Sequence, residues 1–287
     1  MCDDRTLEEA RKVLLTRRQL GIAAGIGGAA SWLPSIANAT DLVETDVEIT
    51  TPDGVCDAYF VHPAKGAHAA VLIWPDILGL RPAKRLMGKR LAGEGYAVLV
   101  VNPYYRSQKS PVVSEGETFA DEAVRNKVFP LYRSLSPETN VTDAKAFVAW
   151  LDTQDSVDTN RGVGTMGYCM GGPMVMRTAA AVPERVRGVA SFHGGGLVTD
   201  ADNSPHRLVP QMNASFLIAI ADNDDEKEPH AKDELRKAFA AADLKAEVEV
   251  YKGALHGWCP PDSPVYDEAH AEHAWARVLA IFGEALA

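Results

Sequence analysis

Four largely apolar runs recur along the chain: Ala69–Trp74, Tyr96–Val101, Val186–Phe192 and Phe216–Ala221. None alternates cleanly, as expected of strands buried on both faces of a sheet. Between and beyond them lie stretches with helical spacing: Pro82–Ala92, a segment ending near Leu131, Pro137–Leu151, Met174–Val182, Pro229–Ala242 and Ser263–Ala287. Pro137 suits a first helical position, with Ser136 as its N-cap. Arg161–Met166 and Glu247–Tyr251 read as two further strands. Val43–Thr50 and Cys56–Val61 alternate in part and flank Thr51-Pro52-Asp53-Gly54, the chemistry of a turn, so they predict an antiparallel hairpin. Strands alternating with helices predict an α/β fold with a mostly parallel sheet covered on both sides. No composition break divides residues 40–287, which read as one domain.

Residues 1–39 differ in character. Thr16-Arg17-Arg18-Gln19-Leu20 resembles a twin-arginine export motif; a weakly apolar Gly/Ala-rich segment follows, then Ala37-Asn38-Ala39, an Ala-x-Ala cleavage site. The segment is too short and too weak for a stable membrane span. The expectation is a leader removed after Ala39 by way of the export machinery, a mature chain starting at Thr40 and a periplasmic or exported protein; a non-functional leader would leave it cytoplasmic. The twin-arginine route carries folded proteins, which implies a thiol formed first in the reducing cytoplasm.

The chain has 287 residues, 46% hydrophobic and 24% charged, ample for a large core. Its net charge of −10 has no basic block to offset it, which excludes nucleic acid and anionic membrane as natural partners. The four cysteines, Cys2, Cys56, Cys169 and Cys259, form no Cys-x-x-Cys pair. His270 and His273 are spaced i, i+3 but have no third ligand in view. No metal and no cofactor is expected.

One stretch carries chemistry. Gly167-Tyr168-Cys169-Met170-Gly171-Gly172 stands between a strand and a helix, the setting of a nucleophile elbow Gly-x-Nuc-x-Gly with cysteine as the nucleophile. Such a thiol needs a base, an orienter for the base and donors for an oxyanion. An acidic turn, Asp222-Asn223-Asp224-Asp225, follows the strand Phe216–Ala221 and offers three carboxylates. His256 follows the strand Glu247–Tyr251 and is the histidine suited to be the base. The Met170 amide, and the Ile77 amide on the loop Pro75–Gly79, are the natural oxyanion donors. Asp76 on that loop is a candidate gate that keeps the resting thiol protonated. His193, ending the strand after the elbow helix, reads as a substrate contact or, better, as packing. Cys259, three residues past His256, leaves open a thiol redox role with Cys169. A carrier without catalysis on the same fold is the other alternative.

These motifs resemble those of the dienelactone hydrolases, α/β-hydrolases with a cysteine nucleophile. The likeness runs over most of residues 43–285 and rests on Trp74–Leu80, Gly95-Tyr96-Ala97, Asn102–Arg106, the elbow, Ala221–Asp224 and His256-Gly257-Trp258. It implies an α/β-hydrolase fold and cleavage of a small ester or lactone, anionic ones included, through a triad of Cys169, Asp224 and His256. It also implies a thiol-holding carboxylate at Asp76, where the family usually has Glu, and substrate contacts from Arg106 and Trp258. No arginine stands a few residues after the histidine, where the family has its second one.

Overall fold

The computed structural model describes residues 41–287; the leader and its cleavage site lie outside them. Eight strands form one sheet in the order β1-β2-β4-β3-β5-β6-β7-β8. They are β1 (Leu42–Thr51), β2 (Gly54–Pro63), β3 (Ala70–Trp74), β4 (Ala97–Val101), β5 (Val163–Tyr168), β6 (Val186–Phe192), β7 (Ser215–Ala221) and β8 (Ala246–Tyr251). β1 and β2 form the expected hairpin, and β2 also runs antiparallel to β4; from β4 to β8 every pairing is parallel. All residues of β3, β4 and β5 are buried, which explains the unbroken apolar character of β3 and β4.

The helices are α1 (Pro82–Gly93), α2 (Glu122–Arg133), α3 (Pro137–Leu151), α4 (Gly171–Ala181), α5 (Asp222–Lys227), α6 (Ala231–Ala241) and α7 (Glu268–Ala285), with a 3-10 turn at Pro205–Gln211. Ser136 caps α3 through the Thr139 amide in a reciprocal capping box. One face of the sheet packs Leu72, Val189 and Phe216 against Phe147 of α3, Val175 of α4 and Phe239 of α6. The other packs Val71, Ile73 and Leu217 against Leu91 of α1 and Val278 and Phe282 of α7. Side chains alternate across each strand, so adjacent residues feed different cores.

Three local expectations change. The acidic turn after β7 folds into the short helix α5. The elbow helix begins at Gly171, not Met174, so its first turn lies directly behind the nucleophile. The closing helix starts at Glu268, because Asp267 caps it through the His270 amide; the segment before it is a loop. That loop becomes a wall of the site.

The chain order reverses at β3: β4 lies on one side of it and β5 on the other. At such a switch point the loops leaving the strand ends diverge and leave a crevice. The loop after β3 carries Asp76 and Ile77, and the loop after β5 carries Cys169.

Candidate active site

Cys169 has φ +54°, the strained conformation of a nucleophile elbow. Its amide donates to the Phe192 carbonyl (3.1 Å), and its carbonyl accepts from the Gly172 amide (3.0 Å), locking the turn between β6 and the first turn of α4. The flanking glycines are required by contact. A Cβ on Gly167 would lie 2.3 Å from the Gly171 carbonyl oxygen, and one on Gly171 would lie 2.5 Å from the Trp74 carbonyl oxygen. The start of α4 presents the positive end of its dipole to the thiol.

His256 is brought to the same point by the loop after β8. Its amide donates to Asn223 Oδ1 (2.8 Å), so α5 and this loop hold each other. Its Nδ1 lies 2.6 Å from Asp224 Oδ2. The other two carboxylates of the turn have different tasks. Asp222 accepts from the Gly253 amide and pairs with Lys252; Asp225 pairs with Lys232. Burial disfavours the His256 imidazolium, but the Cys169 thiolate charge, the Asp224 charge and hydrogen bonds to both outweigh it, and the ring is pushed up to about 10. With Nδ1 held by Asp224, Nε2 is the nitrogen available to the thiol and to substrate.

Among the described residues neither the Ile77 nor the Met170 amide donates a backbone hydrogen bond. Tyr104 ties their loops together: its hydroxyl donates to the Ile77 carbonyl (2.9 Å) and lies 3.2 Å from Met170 Sδ. Tyr104 stands within the Asn102–Arg106 motif, and its spanning role is visible only in the fold.

A cleft of about 680 Å³, including its open mouth, lies above Cys169. Ile77 and Leu78 form one wall, Thr118–Ala120 a second, and Pro260 with Asp262–Val265 a third; Cys169, His193 and His256 form its floor. His193 is 1% exposed, has φ +42°, and sits edge-on to both His256 and Trp258. Neither of its ring nitrogens has a partner among the described residues, and burial, followed by the His256 charge, keeps it well below the usual histidine range. Trp258 is fully buried, stacks on Tyr251 and packs against His193, and it does not line the cleft.

Two further expectations meet a different geometry. Arg106 does not line the cleft. Its guanidinium is held by Asp53 and by the buried Asp143, and it packs over the Tyr105 ring. Asp76 lines the cleft, but its carboxylate is paired with Arg81 (2.7 Å) and Lys84 (3.0 Å) and accepts the Leu78 amide (3.0 Å). Burial would raise Asp76, yet the two cations win and hold it well below the usual carboxylate range. A carboxylate so engaged anchors the loop and is not the unpaired gate anticipated. Arg81 and Asp262, both lining the cleft, are the site residues sequence reading missed. Cys259 is buried in the core beneath α1 and α7, its thiol pushed up by burial, and does not line the cleft.

Fold and site together define an α/β-hydrolase with a cysteine at the elbow. Residues 56–286 match the model of the dienelactone hydrolase family. The chain is 28% identical, over 256 residues, to a candidate carboxymethylenebutenolidase of Salmonella typhi, covering 82% of this chain and 90% of that one. It is 24% identical over 226 residues to the carboxymethylenebutenolidase of Rhodococcus opacus, covering 76% and 81%. The crystal structure of a candidate dienelactone hydrolase from Klebsiella pneumoniae superposes with a TM-score of 0.73 at 21% identity, over 85% of this chain and 99% of that one. The chain belongs to the dienelactone hydrolase family, and its sheet, hairpin and helices are those of the family's fold.

Proposed function

We propose that this hydrolase cleaves a small ester or lactone through a Cys169-His256-Asp224 triad and a thioester intermediate. The observation that carries the reading is the pairing of His256 with Asp224 on one side and with the thiol of the strained elbow on the other. The Cys169 thiolate adds to the carbonyl carbon, and the oxyanion formed accepts from the Met170 and Ile77 amides. When the tetrahedral species collapses, the C–O bond to the leaving group breaks and the leaving oxygen takes the proton of the His256 imidazolium. The acyl group is then a thioester on Cys169. His256, now neutral, removes a proton from water as the water adds to the thioester carbonyl. The second collapse expels the thiolate, releases the acid and restores the imidazolium–thiolate pair. Asp224 orients the ring and stabilises its charge throughout.

A panel of aryl esters and lactones, run with the wild type and Cys169→Ala, tests this. Turnover lost in the variant supports it; turnover retained sinks it. Residues 1–39 are read as a leader that exports the enzyme; N-terminal sequencing of the secreted chain should begin at Thr40.

A further inference from the structure

Among the described residues that line the cleft, Arg81 carries the one guanidinium, and every donor on it is already taken. Nε donates to Asp262 Oδ2 (2.6 Å) and Nη2 to Asp262 Oδ1 (3.0 Å). Nη1 donates to Asp76 Oδ1 (2.7 Å) and to the Gly79 carbonyl (3.3 Å), and Nη2 also donates to Asp76 Oδ2 (3.0 Å). These contacts use all five N–H groups of a guanidinium. The two carboxylates differ. Asp76 lies beside Arg81 on the same loop and is buried with it. Asp262 comes from 181 residues away, on the loop after His256, and its side chain is 41% exposed at the cleft wall. It grips Arg81 in the two-pronged manner in which a guanidinium grips a bound carboxylate.

Lys84, the other cation of this network, is fully buried, pairs with Asp76 and lies over the Tyr168 ring, away from the cleft lining. Counting Asp76, Asp262 and Asp224 against Arg81 and Lys84, the fixed charge around the cleft is negative by one. The Cys169–His256 pair adds nothing to that balance. The remaining walls, Ile77, Leu78, Phe119, Pro260, Pro264 and Val265, are apolar.

We infer that Asp262 is a specificity determinant: it fills the place on Arg81 that a substrate carboxylate would take, and so selects esters or lactones whose acyl part is uncharged. An anionic acyl group would meet no free donor on Arg81 and would face the Asp262 charge, a repulsive element of the kind that sets specificity. Replacing that carboxylate by an amide removes the charge and leaves one acceptor oxygen, so one of the two N–H donors is freed at the cleft wall. The inference rests on the reading of this cleft as the hydrolase site, yet it can be read at the thiol without turnover.

The test compares wild type, Asp262→Asn and Asp262→Glu with two matched pairs of reagents. One pair is 4-nitrophenyl butyrate and mono-4-nitrophenyl succinate, read as kcat/KM. The other is iodoacetamide and iodoacetate, read as the rate of Cys169 alkylation and normalised to a free cysteine. Wild type should favour the uncharged member of each pair by about tenfold or more. Asp262→Asn should shrink both preferences by about tenfold through a gain for the anion, while Asp262→Glu keeps them. A merely structural role for Asp262 moves both members together and leaves the ratio unchanged, which overturns the inference. So does a wild-type preference for the anions. Absence of Cys169-dependent ester turnover overturns the hydrolase reading alone, since the alkylation ratio still decides the role of Asp262.

Discussion

Nδ1 of His256 lies 2.6 Å from Oδ2 of Asp224, although Asp224 belongs to α5 and His256 to the loop after β8, 32 positions apart. That contact fixes which ring nitrogen faces the thiol. Asp224→Asn removes both its charge and the preferred tautomer. A loss of about 10²–10⁴-fold in kcat is expected, with substrate binding little changed. Asp222→Asn and Asp225→Asn, whose carboxylates serve lysines and a loop amide, should retain most activity. Steady-state kinetics on one aryl ester separate the three.

The pH profile follows from the sign of the His256 shift. Its folded value, about 10, lies above the ordinary 6.5, so the imidazolium is the resting form at neutral pH. Stability contributed by the charged ring is fully present below pH 6.5 and is lost as pH rises through about 10. The acylation rate should fall over the same upper limb, because the leaving group loses its proton donor. In Asp224→Asn that limb should move to lower pH. A stopped-flow pH series of the acylation burst checks both limbs; an unmoved limb contradicts the assignment.

Asp76 neutralises two buried cations. Asp76→Ala leaves Arg81 and Lys84 without their shared carboxylate. A loss of about 3–5 kcal/mol in unfolding free energy is expected from urea melts, larger than any change in intrinsic thiol reactivity explains. A stable Asp76→Ala variant with only a faster alkylation rate would restore the gate.

Arg106 makes a parallel case. Arg106→Gln should lower stability by about 2–4 kcal/mol, because Asp143 is buried and loses its cation. The ratio of kcat/KM for carboxylate-bearing and uncharged esters should stay as in wild type. A selective loss on the anionic ester would return Arg106 to the substrate.

The strands and the candidate site residues Cys169, Asp224 and His256 were legible because their signals are local. An apolar run is its own evidence of burial, and a glycine-flanked cysteine between strand and helix announces the elbow within six residues. The order of acid and histidine after later strands followed from the same topology. What escaped depends on side-chain pairings that only the folded chain makes. Asp76 was read as free because Arg81 and Lys84 turn toward it only once α1 packs on the sheet. Arg106 was assigned to substrate by resemblance alone, and Asp53 and Asp143 claim it in the fold. Asp262 carries no local motif, and an acidic residue six positions after His256 was the available hint. The acidic turn is the short helix α5, which carries the Asn223 side chain to the His256 amide.

The most direct measurement is intact-mass and peptide-mass analysis of the enzyme quenched during turnover of a slowly hydrolysed aryl ester. A Cys169 thioester requires a gain of one acyl group on the peptide carrying Cys169, formed within the burst and absent from Cys169→Ala. Full turnover with Cys169 unmodified at every quench time, or an acyl group found on another residue, contradicts it.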